Sequence, residues 1–457
     1  MSRRLLACFL VVCVLVSASS APLAGSVVAT VPLLPESDSV TTAPYGQVSR
    51  TGGHIVSTER VHDRGITGDG VAVGVVGTSF DSEAASIRSH VAGHRRAVER
   101  STDGGVAVGP RRSDGRHDTA VAAVVAETAP DTELYLAAVG DNPTPEEYER
   151  AVEWMMANDV SIVVDAGSYF SSDPTTNGRI TAVAERAASN GTLFVTSAGN
   201  YANSQWVGEG PSEGWVNFSN ETQGNRLAGG NVTRGTVSLR LSWNTSADYD
   251  LYLYRDRGGG PDPVVAKSVR RQNASNDSAP DDANASGESW EAIDVSVPHG
   301  RYYVAVDAHN GSNESRLRLL SSRQSLEHTV SNGSVVAPAT GDGVVAVGAV
   351  DADSGRAAQY SSRSDTFVDV WGPASVRTEF GSLEGTSAAA PYVAGTAALV
   401  ASTSCEESIR SEEMVELLRA SGAGDDRYTP DSVPVVEATR AIETAEKTGD
   451  DECLVAG

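Results

Sequence analysis

Three side chains in this sequence have the types and surroundings for nucleophilic chemistry at a carbonyl. Ser387 lies in Gly385-Thr386-Ser387-Ala388-Ala389-Ala390-Pro391, which continues to Val400 almost without charge. A stretch of Ala, Val and Gly suits a helix buried on all sides. Ser387 is predicted at its N-terminus, with Pro391 in the first turn, where a missing N–H costs least. A hydroxyl there is held rigidly, and the helix dipole favours negative charge developing beside it. Gly385 and the small residues after Ser387 leave room for a substrate backbone. His117 stands at the start of an Ala/Val-rich helical stretch, Arg116–Ala126. A His so placed can act as general base for a Ser. Asn200 closes Leu193–Asn200, a buried strand ending in a small-residue turn. A side-chain amide at such a tip can donate to an oxyanion. Taken singly, each has a plainer reading: a small-residue packing helix, a surface His before a helix, a bare turn Asn.

The elements that must position these residues alternate. After the turn Gly65–Gly70, Val71–Val76 reads as a buried strand. Thr132–Val139 is a second strand, entered through Ala129-Pro130-Asp131. Pro145–Asn158 is predicted as an amphipathic helix, Val160–Asp165 as a strand and Ile180–Ser189 as a helix. Strand–helix alternation at this spacing gives an α/β fold, a parallel sheet flanked by helices. Active residues in such sheets gather where strands end in loops. Residues 206–330 lose the alternation. Val237–Trp243, Asp250–Tyr254, Ile293–Val297 and Tyr302–Val306 instead alternate apolar with polar, separated by turns rich in Gly, Asn and Asp. That pattern predicts an inserted all-β sandwich or jelly roll. Helices are expected again at 412–422 and 434–446.

Together, the three motifs resemble those of the subtilisin-like serine proteases. Gly385–Gly395 resembles the family's Ser motif, Ser197–Asn200 its oxyanion-hole motif and His117–Ala122 a variant of its His motif. Gly343–Val350 and Tyr360–Ser364 resemble the family as well. The likeness covers roughly residues 60–205 and 333–445. It implies a serine endopeptidase in which Ser387 is the nucleophile, His117 the general base and Asn200, with the Ser387 N–H, the oxyanion hole. The family's acidic member belongs at the end of the Val71–Val76 strand, where this chain has Gly77 or Thr78. Asp81, the next carboxylate along, is the favoured substitute. Asp165, at the end of another strand, and Asp118, beside the His, stay open. Calcium is common in the family, but no residue is assigned to it and no cofactor is expected. Ala247–Tyr254 and Gly300–Gly311 resemble β-sandwich modules that accompany secreted proteases, of the pre-peptidase C-terminal type.

Net charge is −25 over 457 residues, and Lys occurs at 267 and 447, Arg supplying the other positive charges. Phosphate binding needs a basic surface, so nucleic acid is not an expected partner. The Lys-poor acidic composition predicts a halophilic, haloarchaeal-type protein, because such surfaces stay soluble in high salt. Residues 1–25 read as a signal peptide, with Arg3-Arg4 before the apolar Leu5–Val16. Residues 26–60 read as a linker, 61–205 and 331–445 as the two parts of the α/β domain, and 446–457 as a tail. The expectation is a secreted monomer acting on protein or peptide, membrane-held only if the signal stays uncleaved. Sequons at Asn217, Asn220, Asn231, Asn244, Asn273, Asn276, Asn284, Asn310, Asn313 and Asn332 predict an exported glycoprotein. Cys405 and Cys453 are expected either as a disulfide or as two free thiols. The alternative to an active enzyme is a binding or processing protein that kept the fold and lost the acid. An adhesion or carbohydrate-binding protein led by the sandwich leaves the rest of the chain without a purpose.

Overall fold

The computed structural model describes residues 58–97, 107–108, 115–271, 289–351, 354–403, 411–422 and 433–448. The predicted signal peptide, almost all of the linker, Cys405, Cys453, Asn273, Asn276 and Asn284 lie outside these residues.

The main sheet carries the strands Ala72–Gly77 (β1), Val91–Arg96 (β2), Glu133–Ala138 (β3), Ile162–Asp165 (β4), Leu193–Ser197 (β5), Val345–Asp351 (β6) and Val368–Pro373 (β7). Its order is β6-β5-β4-β1-β3-β2, with β7 also on β6 and the short strand Arg356–Ala357 at that edge. All pairings among β1–β7 are parallel, and only Arg356–Ala357 runs antiparallel. Parallel strands are covered on both faces, which explains why β1, β4 and β5 are nearly continuous apolar runs. On one face lie the helices Pro145–Met156 (capped by Thr144 and Glu147 in a reciprocal pair) and Pro174–Ser189. The second of these starts six residues before its predicted start at Ile180. Pro174 at its first position and the Asp173 carboxylate, accepting from Thr175 N at 2.9 Å, set that start.

The other face is filled by two helices, Arg116–Thr128 (α1, the His helix) and Thr386–Ala401 (α2, the Ser helix). From Ala388 to Val400 every residue of the Ser helix is buried, as its composition predicts. Their close approach depends on Gly395, where a Cβ would stand 2.6 Å from Thr128 Cβ. Pro391 falls in the second turn and not, as expected, in the first. It therefore withholds a donor from the carbonyl of Ser387, four residues back.

Glu127, near the end of the His helix, is less comfortable. Its Oε2 is buried with no hydrogen-bond partner among the described residues. Burial first, and the charge of Glu379 second, push its carboxyl up to about 7. The folded state thus favours the protonated form. The resulting stability is complete below the ordinary carboxylate pKa and is lost as pH rises through about 7. Glu127→Gln is therefore expected to stabilise the protein at pH 8, by about 1–3 kcal/mol, and to change little at pH 5. Thermal unfolding at the two pH values checks this; an equal shift at both would show that the charge is not the cause.

Residues 205–321 build a second sheet of eight strands, every pairing antiparallel. Its own core is formed around Leu239, Trp243, Tyr249, Leu251, Val304 and Leu317. The two predicted strands 293–297 and 302–306 are one continuous strand, Ser289–Asn310. Its first half pairs with Thr233–Trp243 and its second with Asp248–Asp256. The change of partner falls around Pro298, which has no N–H to give a ladder. Side chains tie this sheet to connecting segments of the α/β domain. Arg240 Nε donates to Ser171 O at 2.7 Å and Arg318 Nη2 to Val335 O at 2.8 Å. Phe170, Tyr201, Leu320 and Val336 share an apolar cluster.

Candidate active site

The parallel sheet brings the three singled-out residues to one cleft of about 200 Å³, lined by His117, Asn200 and Ser387 among others. Asn200 follows β5, and His117 and Ser387 stand in the first turns of the two helices that pack together behind it. Segments 186 residues apart are latched at this point. Thr386 N donates to Asn200 Oδ1 at 3.1 Å, and Thr386 Oγ1 does so at 3.3 Å. Gly199 N in turn donates to Thr386 Oγ1 at 3.2 Å. A backbone N–H must face an acceptor, so these bonds fix which way the Asn200 amide points and keep its NH₂ as the outward donor. Ser387 N lies in the first helical turn, where no intrahelical acceptor exists, and supplies a second donor.

Gly385 makes this latch possible. Its φ is +87°, and a Cβ there would stand 2.7 Å from Asn200 Nδ2. Gly385→Ala is expected to displace the amide and lower kcat by about 10²–10³-fold, the usual cost of one oxyanion donor. Steady-state kinetics set beside Asn200→Ala checks this; a variant as active as the parent would show that the latch does not position the donor.

The carboxylate at the imidazole is Asp118, not the favoured Asp81. His117 Nδ1 and Asp118 Oδ1 are 2.8 Å apart. Neighbouring residues on a helix ordinarily point apart. Here both lie in the opening turn, and the end of β1 holds the acid in place. Asp118 Oδ2 accepts from Thr78 N at 2.6 Å, Thr78 Oγ1 at 2.7 Å and Ser79 N at 3.4 Å. The carboxylate is 2% exposed and is held by three donors from the end of β1 at the helix N-terminus. Gly77 provides the room, because a Cβ at 77 would fall 2.7 Å from both Cβ and Cγ of Asp118. The strand position that resembles the family's acid site thus lends space and donors to a carboxylate that comes from the helix.

Asp81 lies elsewhere. It is exposed, its N–H donates to Thr119 Oγ1 at 2.9 Å, and its Oδ1 accepts from Glu83 N. Asp165 is fully buried and accepts from Tyr148 Oη (2.8 Å), Tyr169 Oη (2.9 Å) and Gly167 N (2.7 Å). It shapes the Ala166–Ser168 wall of the cleft. Ser387 Oγ faces the carbonyl of Ala166 at 3.4 Å, so the hydroxyl is parked against that wall. Sequence reasoning missed the parts played by Thr78 and Thr386. The pairing of an Asp directly after the His with a Gly at the end of β1 was the signal available for the acid.

Residues 68–297 and 313–429, more than half of the chain, match the subtilase family of peptidases. No curated protein matches the sequence. Among solved structures, the Clostridium perfringens CspB protease is similar, with a TM-score of 0.59 and 15% identity over 85% of this chain and 95% of that one. A protease of Pseudoalteromonas arctica gives 0.46 and 15% identity over 87% and 95%. At 15% identity the likeness to the CspB protease concerns the fold alone.

Proposed function

Since this chain belongs to the subtilase family, we propose that it is a serine endopeptidase whose triad is Ser387, His117 and Asp118. The contact of His117 Nδ1 with Asp118 carries the reading. A carboxylate at Nδ1 takes that nitrogen's proton as a hydrogen bond and leaves the Nε2 lone pair as the base. When a peptide enters, a χ1 rotation of Ser387 swings Oγ from Ala166 O toward Nε2; unliganded sites commonly hold this bond open. Oγ attacks the carbonyl carbon while Nε2 takes its proton. The carbonyl oxygen becomes an oxyanion between Asn200 Nδ2 and Ser387 N. The imidazolium, stabilised by Asp118, passes its proton to the leaving amine, and an acyl-enzyme remains. Water, deprotonated by the same nitrogen, then releases the acid.

The inactive-relative reading rested on Gly77 and Thr78 standing in the acid's place. Asp118 supplies a carboxylate from another element and removes that ground. Substrates are protein or peptide, and the mechanism uses no cofactor. Calcium keeps no assigned residue; among the described residues no group of three or more His, Cys, Asp and Glu is placed to hold a metal. We read the chain as exported, because Arg3-Arg4 and the apolar Leu5–Val16 have the layout of a signal. The described sequon residues Asn217, Asn220, Asn231, Asn244, Asn310, Asn313 and Asn332 are exposed, which suits glycosylation. The acidic, Lys-poor surface suits high salt. Among the described residues no helix is long and apolar enough to cross a membrane.

Reaction of the full chain with a serine-directed fluorophosphonate, followed by peptide mapping, tests the reading. The adduct is expected on Ser387, with none in Ser387→Ala. A well-folded protein that takes no label would overturn it.

A further inference from the structure

One Arg lines the cleft, and it comes from the end of the antiparallel sheet. Arg323 lies in the turn just after the strand Arg316–Ser321 and lines the same cavity as Asn200 and Ser387. The turn is fastened on both sides. Ser321 N donates to Ser204 O at 2.8 Å and Leu326 N to Asn203 O at 2.8 Å. These bonds sew it to the segment directly after the oxyanion Asn200. On the sheet side, Ser322 N donates to Ser238 O at 3.0 Å and Gln324 Nε2 to Thr236 O at 2.9 Å. Arg323 is thus an exposed side chain on an anchored turn. Among the described residues no carboxylate pairs with it. The chain is rich in Asp and Glu, yet among the described residues none lines this cavity. The remaining lining is mostly small and polar, including Ser168, Ser204 and Ser322.

Resting on the protease reading, we infer that Arg323 selects substrates with a carboxylate side chain on the residue whose carbonyl Ser387 attacks. That carbonyl oxygen sits at Asn200, and the residue bearing it lies nearest the segment to which the Arg323 turn is sewn. A Glu or Asp side chain entering the cavity meets the planar guanidinium, which matches a carboxylate with paired N–H donors. A Lys or Arg side chain meets like charge. The antiparallel sheet is in this way part of the substrate site: it delivers the specificity residue to a cleft whose reacting groups all come from the α/β domain.

The experiment uses the full chain and four succinyl-Ala-Ala-Pro-Xaa-p-nitroanilides, with Xaa Glu, Gln, Phe or Lys, alongside fluorophosphonate labelling. The Glu substrate is expected to be cleaved best. Arg323→Gln should lower its kcat/KM by about 10–100-fold, the range for a charged hydrogen bond, while the Gln substrate stays within about twofold. Arg323→Glu should shift the preference to the Lys substrate. Loss of rate on Glu and Gln alike, no preference in the parent, or labelled enzyme that leaves the Glu substrate uncut would each overturn the role of Arg323 and leave the triad standing. Absence of labelling at Ser387 would overturn both.

Discussion

Ser387→Ala is expected to lower kcat by about 10⁶-fold, and His117→Ala by about as much, because the members of a triad act as one unit. Residual turnover of about 10³-fold over water should survive in both, from the oxyanion donors and substrate binding. The substitution is clean. Ala is the best helix former, and Ser387 makes one long hydrogen bond, to Ala166 O at 3.4 Å. Secondary structure and melting temperature should therefore match the parent, so that the loss reports chemistry alone. Kinetics on a peptide substrate and circular dichroism on the same samples decide it. Turnover within tenfold of the parent would exclude Ser387 as nucleophile.

Asp118→Asn is expected to lower kcat by about 10⁴-fold with little change in KM. The amide NH₂ would face Nδ1 as a donor, move the proton to Nε2 and leave the base in the wrong tautomer. An amide in the Asp118 pocket also has only one oxygen to share between Nδ1 of His117 and the donors of Thr78, now joined at 2.6 and 2.7 Å to one carboxylate oxygen. Asp81→Asn, by contrast, should change turnover by less than about twofold, as expected of an exposed residue outside the site. A relocation test follows from Gly77. Gly77→Asp alone should impair folding or activity, since its Cβ would fall 2.7 Å from Asp118 Cγ and 2.8 Å from Phe80 Cζ. In an Asp118→Gly background the Asp118 contact disappears, and of the three nearest atoms the Phe80 ring remains to give way. There Gly77→Asp should recover about 10²-fold of the lost rate. The two changes would then be strongly non-additive, each harmful alone and partly corrective together. Simple additivity would mean that Gly77 and Asp118 do not share one carboxylate site.

The sequence by itself determined the parallel sheet and the two helices that fill one of its faces. A long uncharged Ala/Val/Gly run has few choices but burial, and the strand–helix alternation leaves little freedom in topology. It also singled out Ser387, His117 and Asn200, each in a local context that holds it at an element's end, while their meeting was what the family resemblance implied. The identity of the acid was decided by tertiary structure. Whether a carboxylate reaches Nδ1 depends on which side chain fills a small volume between the end of β1 and the start of the His helix. Distance along the chain favoured Asp81 after β1, yet the turn carries that residue into solvent. Gly77 vacates the volume, Thr78 provides its donors, and Asp118 occupies it, a three-body fit across some forty positions that no local pattern encodes. Tertiary structure also joined what the sequence pattern separated at Pro298–Arg301, since a strand can pass through a Pro where its partner changes. The arrival of Arg323 at the cleft has the same origin. Nothing in Ser321–Leu326 signals a site; the turn reaches the cleft because hydrogen bonds from the segment after Asn200 and from the antiparallel sheet converge on it.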